Sequence, residues 1–445
     1  MLMTTKTEIL ELVEKYYKEA INRTFIVGET YIPAMKAYYD EREIQSLVSA
    51  SLDMRWVDGE ITKKFEREMA KFLGVRFAIM CNSGSSANLL ALSALTSELF
   101  KSNKLKPGDE VITVAAGFPT TVNPIIQNGL IPVFVDINIG TYNVSPYLVD
   151  QAITDKTRAI FIAHTLGNPY DIDEIKEIAK LHNLWVIEDC ADCIGAEFDG
   201  KKLGTFGNVS TTSFYPAHIM SVGEGGMVFT DSPMIAKAVR SFRDWGKDCW
   251  CAPGHDNTCG KRFGQVDKGD LPDGFDHKYI FSHIGYNLKS TDLQASIGLE
   301  QLKKLPEFLE DRRENWEYLR GRFKELGLDK YFVLPTQLQK AKPAWFGFIL
   351  TIREGAGFTR REIVSYLEEN KIGSRNLFGG NLTKQPAYIG LNWRISDTVS
   401  GMPHTDIVME RTFWIGCHPS MTRSMLDYIV DKFVEFVGKN EKTKN

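Results

Sequence analysis

Along residues 6–21 the apolar side chains Ile9, Leu12, Val13, Tyr16, Tyr17 and Ala20 recur at helical spacing, which predicts an amphipathic helix with one apolar face. A polar and aromatic stretch at 31–40 separates it from a second helical pattern over 59–73, so residues 1–58 read as an N-terminal arm. From Arg76 onward the period shortens. Apolar runs at 77–81, 110–115, 131–136, 159–163, 184–188, 209–214 and 226–230 have the length of buried strands, and helical patterns such as 86–99 and 171–182 lie between them. Strands alternating with helices require crossover connections, so the pattern predicts an α/β fold with a mostly parallel central sheet. Helices over 291–302 and 306–326 follow, after which isolated strands and helices suggest a separate unit. The expected division is an arm over 1–58, a large α/β domain over 59–304 and a small α+β domain over 305–445, with a frayed polar tail at 438–445.

Composition narrows the function classes without choosing one. The chain has 445 residues, 43% hydrophobic and 25% charged, enough for two or three domains with a sizeable core. A net charge of −4, with no basic block and no aromatic–basic interleaving, gives no reason to expect nucleic acid or a membrane surface as partner. No apolar run reaches the roughly 18 residues of a spanning helix, and residues 1–23 lack the pattern of a signal peptide. The expected compartment is cytoplasmic. Seven cysteines, an odd number, fit a metal or redox site in a reducing compartment better than a disulfide framework.

Candidate chemistry gathers at predicted strand ends. Residues 213–230 read as a strand end, a Pro-broken turn carrying His218, a Gly-rich bend at 223–226 and a new strand. The run Cys81-Asn-Ser-Gly-Ser-Ser-Ala-Asn88 is a strand end entering a helix. Gly84 permits the tight turn, and Ser85 and Ser86 then present amides and hydroxyls where a helix dipole favours a phosphate; as plain N-caps they need no ligand. Asp189 closes the buried run Trp185-Val-Ile-Glu-Asp, at the strand end where α/β sheets gather their sites, although a carboxylate there also serves as a helix cap. Phe118 follows the strand at 110–115, a position that core packing alone could explain.

These segments, in this order, resemble the sugar aminotransferases of the DegT/DnrJ/EryC1/StrS family, pyridoxal-phosphate enzymes of fold-type I, over about residues 32–431. The resemblance implies a phosphate loop at 84–86, an aromatic platform at Phe118, a pyridine-nitrogen partner at Asp189 and a further phosphate hydroxyl at Ser213. It also implies a homodimer in which Asn287 reaches the phosphate of the neighbouring subunit. The family's Schiff-base lysine is replaced here by His218, an imidazole that cannot condense with the cofactor aldehyde. That replacement resembles the 3-dehydratases of nucleotide-linked 4-keto-6-deoxyhexoses, which use pyridoxamine 5'-phosphate (PMP). It implies His218 as the catalytic base, a role suited to imidazole because its ordinary pKa is about 6.5.

Cys249, Cys251 and Cys259 form a Cys-x-Cys-x7-Cys pattern in a Gly- and Pro-containing loop, a spacing from which thiolates can converge on zinc or on an iron–sulfur centre. The loop is similar to that of the CDP-4-keto-6-deoxyglucose 3-dehydrases, which implies a [2Fe-2S] cluster and an NAD(P)H-dependent flavin iron–sulfur reductase as electron donor. A [2Fe-2S] cluster needs four ligands. The fourth cysteine of that pattern falls on Ala191 here, leaving Cys193, Cys190 or His255 as candidates, while Cys81 and Cys417 read as structural. Three readings follow: an iron–sulfur 3-dehydrase, a cluster-free dehydratase that regenerates PMP from an amino donor, and a binding protein that has lost catalysis. Retention of Asp189, Ser85 and the glycines at 223–226 disfavours the last.

Overall fold

The computed structural model describes residues 2–21, 24–251, 255–264, 269–396 and 401–442. Residues 252–254 of the cysteine loop and 443–445 of the tail therefore lie outside the described residues. An eight-stranded sheet runs in the order Phe77–Cys81, Gly226–Thr230, Val209–Ser213, Trp185–Asp189, Thr157–Ala163, Glu110–Val114, Ile131–Val135, Arg394–Ile395. Every neighbouring pair is parallel except those made by Gly226–Thr230, which is antiparallel on both sides. Successive side chains of one strand feed opposite layers: Ile79 and Cys81 pack with Leu90, Ala91 and Val239, whereas Ala78 and Met80 pack with Phe65 and Met69. Both faces are covered, which is why these strands read as continuous apolar runs.

Helix Glu60–Leu73 is mounted on the sheet by a carboxylate distant in sequence. Its N-cap, Gly59, has no side chain to offer, and Asp292 accepts from the amides of Gly59 (2.9 Å) and Thr62 (2.8 Å) and from the Thr62 hydroxyl (2.7 Å). Asp292 opens a single helix, Asp292–Glu325, that continues through Pro306. The sequence predicts two helices there, with the domain division falling at their junction. Instead Leu305 and Leu309 pack in the large core, and Trp316, Leu319 and Phe323 pack in a second core. A proline inside a helix costs about 3 kcal/mol, and burial on both cores offsets it.

The second core lies against a four-stranded antiparallel sheet in the order Phe332–Val333, Gly347–Ile352, Thr412–Gly416, Ser374–Asn376. Helix Arg423–Lys442 docks there through Phe433, Phe436 and Val437, so residues 438–442, expected to fray, continue it as its last turn. The arm forms helices Leu2–Ala20 and Glu41–Leu52, the latter with an Asp40/Glu43 capping box. Leu12 and Tyr16, on the predicted apolar face, are exposed in the single chain.

Candidate active site and cysteine loop

At the carboxyl ends of the parallel strands lies a cavity of about 500 Å³, whose walls include Gly84, Ser85, Phe118, Asp189, Ser213 and His218. Its floor is a close backbone approach. A Cβ on Gly84 would stand 2.3 Å from Ser213 Cβ, and one on Gly226 would stand 2.2 Å from the Ser83 carbonyl oxygen. Only glycine fits at either place. Helix Gly84–Ala94 starts at this turn, and its N-cap is Ser83, whose hydroxyl accepts from the Ser86 amide at 3.1 Å. Ser86 is thus engaged by the cap, and Ser83, Gly84 and Ser85 face the cavity. Ser213 Oγ lies beside them, so free amides and hydroxyls converge at a helix N-terminus, the donor set a phosphate requires.

Asp189 is buried and satisfied on all sides but one. Its Oδ2 accepts from Asn88 Nδ2 (2.8 Å) and Thr121 Oγ1 (2.7 Å), and its Oδ1 accepts from the Ala191 amide (3.0 Å). Asn88 is oriented in turn by the Thr211 hydroxyl, which donates to its Oδ1. A carboxylate offers about four lone-pair sites, so three donors leave one for a protonated ring nitrogen in the cavity. Phe118, 51% exposed, borders the same space and meets Phe378 edge-on at 6.2 Å. The residues fit a phosphorylated pyridine: donors for the phosphate at one end, a ring partner at the other, and an aromatic wall. Asn88 and Thr121 carry no signal as single residues in the sequence, because their role depends on contacts 101 and 68 positions away.

His218 hangs from a turn in which its amide donates to the Tyr215 carbonyl (2.9 Å), and Gly223 takes the positive φ of 88° that lets the chain return to the next strand. Its Nδ1 is 3.1 Å from Asp192 Oδ1, an ion-pair separation without hydrogen-bond alignment, and its ring lies 5.5 Å from that of Phe346. Asp192, which carries no signal in the sequence, is the cavity residue that the fold places against His218. It stands three positions after Asp189, on the turn that leaves the same strand. Among the described residues lining the cavity there is no lysine. Arg375, Asn376 and Trp414 of the second sheet close the opposite wall.

Asn287 stands outside this cavity, exposed, and accepts from Lys289 Nζ at 2.7 Å. The cysteines separate into two groups. Cys190 and Cys193 are buried with His164, whose Nε2 approaches Glu188 at 3.3 Å. Burial pushes both of these thiols above the ordinary cysteine range. Cys249 and Cys259 gather instead with His277, their ligand atoms all within 4.8 Å of one another, and Cys251 lines the same small space. A hydrogen bond from Thr258 helps to pull the Cys251 thiol down to about 7. The fourth ligand expected at Cys193 or Cys190 is thus not gathered with the loop thiols in this chain. Neither is His255, whose place beside them is taken by His277. Cys81 and Cys417 are buried, and burial raises each to about 12.

The sequence pattern of the DegT/DnrJ/EryC1/StrS aminotransferase family matches residues 38–434. The chain belongs to that family. Within it, the lipopolysaccharide biosynthesis protein RfbH of Salmonella typhimurium is 50% identical, covering 98% of each chain. The dTDP-4-dehydro-2,6-dideoxy-D-glucose 3-dehydratase of Saccharopolyspora spinosa is also 50% identical, over 99% of this chain and 94% of its own. Among solved structures, E. coli GDP-4-keto-6-deoxy-D-mannose-3-dehydratase with bound hydrated PLP is 30% identical, with a TM-score of 0.80 over 91% of this chain and all of that one. The fold is that of the family's pyridoxal-phosphate aminotransferases. Among the described residues no helix is long and apolar enough to cross a membrane.

Proposed function

We propose that this chain is a PMP-dependent 3-dehydratase of a nucleotide-linked 4-keto-6-deoxyhexose, acting in deoxysugar or lipopolysaccharide biosynthesis. The observation that carries the proposal is a cavity built like a pyridoxal-phosphate site, with Asp189 at its base and His218, rather than any lysine, on its wall. The relatives named as sugar 3-dehydratases support the reaction class. When bound, the cofactor supplies an amine for the sugar's 4-keto carbon and a protonated ring that spreads the charge left by proton removal. Asp189 keeps the proton on the ring nitrogen, and the Asn88 and Thr121 hydrogen bonds hold it in place for that task. Gly84, Ser85 and Ser213 receive the phosphate, and Phe118 covers the ring. His218, with its Nδ1 turned to Asp192, would use Nε2 to take a proton from the C4' position of a bound cofactor, and Asp192 would stabilise the resulting imidazolium. The same imidazolium would return that proton to the C3 hydroxyl, which would then leave as water.

The finer reading follows the resemblance: the substrate is CDP-4-keto-6-deoxyglucose, and net 3-deoxygenation takes two electrons and two protons per water released. These electrons come from NAD(P)H through a flavin iron–sulfur reductase and a [2Fe-2S] cluster on Cys249, Cys251 and Cys259. The proposed assembly is a homodimer, with Asn287 completing the partner's phosphate site. A cluster-free reaction with an amino donor is the second reading, favoured by the separation of Cys190 and Cys193 from the loop thiols. The experiment is anaerobic turnover with CDP-, dTDP- and GDP-4-keto-6-deoxyhexoses, with and without reductase and NADH, reading 3-deoxy product and solvent exchange at C4'. With a CDP sugar, C4' exchange is expected with or without reductase, and 3-deoxy product only with it. Product formed without reductase but with glutamate selects the second reading, and transamination without loss of the C3 hydroxyl refutes both.

A further inference from the structure

The loop bearing Cys249, Cys251 and Cys259 does not stand alone: it is fastened to residues 276–278. Arg262 donates to Asp276 at 3.0 and 3.1 Å, the His277 amide donates to the Arg262 carbonyl at 2.7 Å, and Lys278 pairs with Asp256. These contacts fix where the His277 ring falls. Only 3% exposed, it presents Nδ1 to Cys259 Sγ at 3.7 Å and turns Nε2 to Asp248 Oδ2 at 2.9 Å. Two ligands of one tetrahedral metal, a thiolate at about 2.3 Å and an imidazole at about 2.0 Å from it, stand about 3.5 Å apart. The observed separation is close to that. Asp248, itself an acceptor from the Ser282 hydroxyl, occupies the place of the carboxylate that usually fixes the ring of a metal-bound histidine.

We propose that Cys249, Cys251, Cys259 and His277 form a complete Cys3His site for a thiophilic metal centre, with Asp248 orienting the imidazole. Cys190 and Cys193 take no part in it. The proposal rests on the iron–sulfur reading above only for its occupant, which on that reading is a [2Fe-2S] cluster with one histidine ligand. Nitrogen ligation raises a cluster's reduction potential relative to four thiolates, so His277 sets the energy at which electrons arrive.

The test uses the full chain purified anaerobically, with iron, sulfide and zinc assays, X-ray absorption to count sulfur and nitrogen ligands, and nitrogen hyperfine coupling in the reduced protein. The expected result is a centre with three cysteine sulfurs and one nitrogen, full metal in Cys190→Ser and Cys193→Ser, and loss of most metal in His277→Ala. Because His277→Ala also removes a buried side chain, His277→Cys is the second variant: it should keep the metal, lose the nitrogen coupling and, if a cluster is present, show a lower reduction potential. Zinc with the same ligands and no iron upholds the site and overturns the iron–sulfur reading. Iron that survives His277→Ala but is lost in Cys193→Ser overturns the site and leaves that reading standing. An unchanged spectrum in His277→Cys also overturns the site.

Discussion

Gly84→Ala is the smallest change that tests the phosphate floor. The new Cβ would lie 2.3 Å from Ser213 Cβ and 2.6 Å from Ser213 Oγ, whereas carbon atoms in contact settle about 3.5–4.0 Å apart. Ser213 or the turn must therefore move by more than about 1 Å, in a place where strand Gly226–Thr230 is already against the Ser83 carbonyl. Overpacking of this kind costs about 1–3 kcal/mol. A displaced Ser213 hydroxyl also takes one charge-assisted hydrogen bond from the phosphate, about 1.5–3 kcal/mol, or roughly a 10- to 100-fold weaker complex. The assay pairs urea unfolding of the apo protein with PMP titration. Gly84→Ala should lose on both counts. Adding Ser213→Gly removes the two nearest atoms and leaves only the Ser213 Cα, at 3.0 Å, so the double variant should regain part of the stability, less the cost of a glycine in a strand, and remain weak for PMP. Full stability and full affinity in Gly84→Ala alone would refute both the close approach and the location of the phosphate. A double variant that regains affinity would show that Ser213 donates nothing.

His218→Asn should keep PMP binding and slow C4' exchange by roughly 10² to 10⁴, measured by deuterium incorporation; unchanged exchange assigns the base elsewhere. His218→Lys should form a borohydride-reducible link to added PLP, detected by mass, and absence of that link while PLP binds would place residue 218 away from C4'. Asp292→Ala should lower the urea midpoint by an amount equivalent to about 2–4 kcal/mol, since it strips four donors at the N-terminal end of helix Glu60–Leu73 of their acceptor; a change under 1 kcal/mol would mean water replaces it. Burial lowers His418 to about 4, so between its ordinary 6.5 and that value the unfolded chain binds a proton that the folded chain does not. Stability should therefore fall as pH drops through this window, by up to about 3 kcal/mol from this group, and His418→Gln should flatten the profile there; an equally steep profile in the variant assigns the titration to another group.

Much of this protein was legible in the sequence, because the signals concerned are local. Strands buried on both faces must be apolar throughout, and the runs at 77–81 and 226–230 coincide with the strands Phe77–Cys81 and Gly226–Thr230. The run around Gly84 reads as a strand end entering a helix, though it is Ser213 across the sheet that admits only glycine there, and Asp189 declares itself as a carboxylate ending an apolar strand. The family resemblance then marked His218 as a departure from the expected lysine. Tertiary structure alone decided what surrounds them. Asp192 meets His218 because one turn leaves the strand of Asp189 and another leaves the neighbouring strand of Ser213. Asn88 and Thr121 reach Asp189 from two different helices, and Asp292 caps a helix more than 200 residues away. Pro306 reads as a break in any local scheme, yet the helix passes through it, since two cores on its flank outweigh one lost hydrogen bond. The cysteine spacing likewise announced a metal loop, but not the residue beside it. His277 lies outside the motif, and only the packing of residues 276–278 against the loop brings its imidazole to the thiols, because hydrogen bonds and ion pairs between distant segments leave no periodicity in the chain.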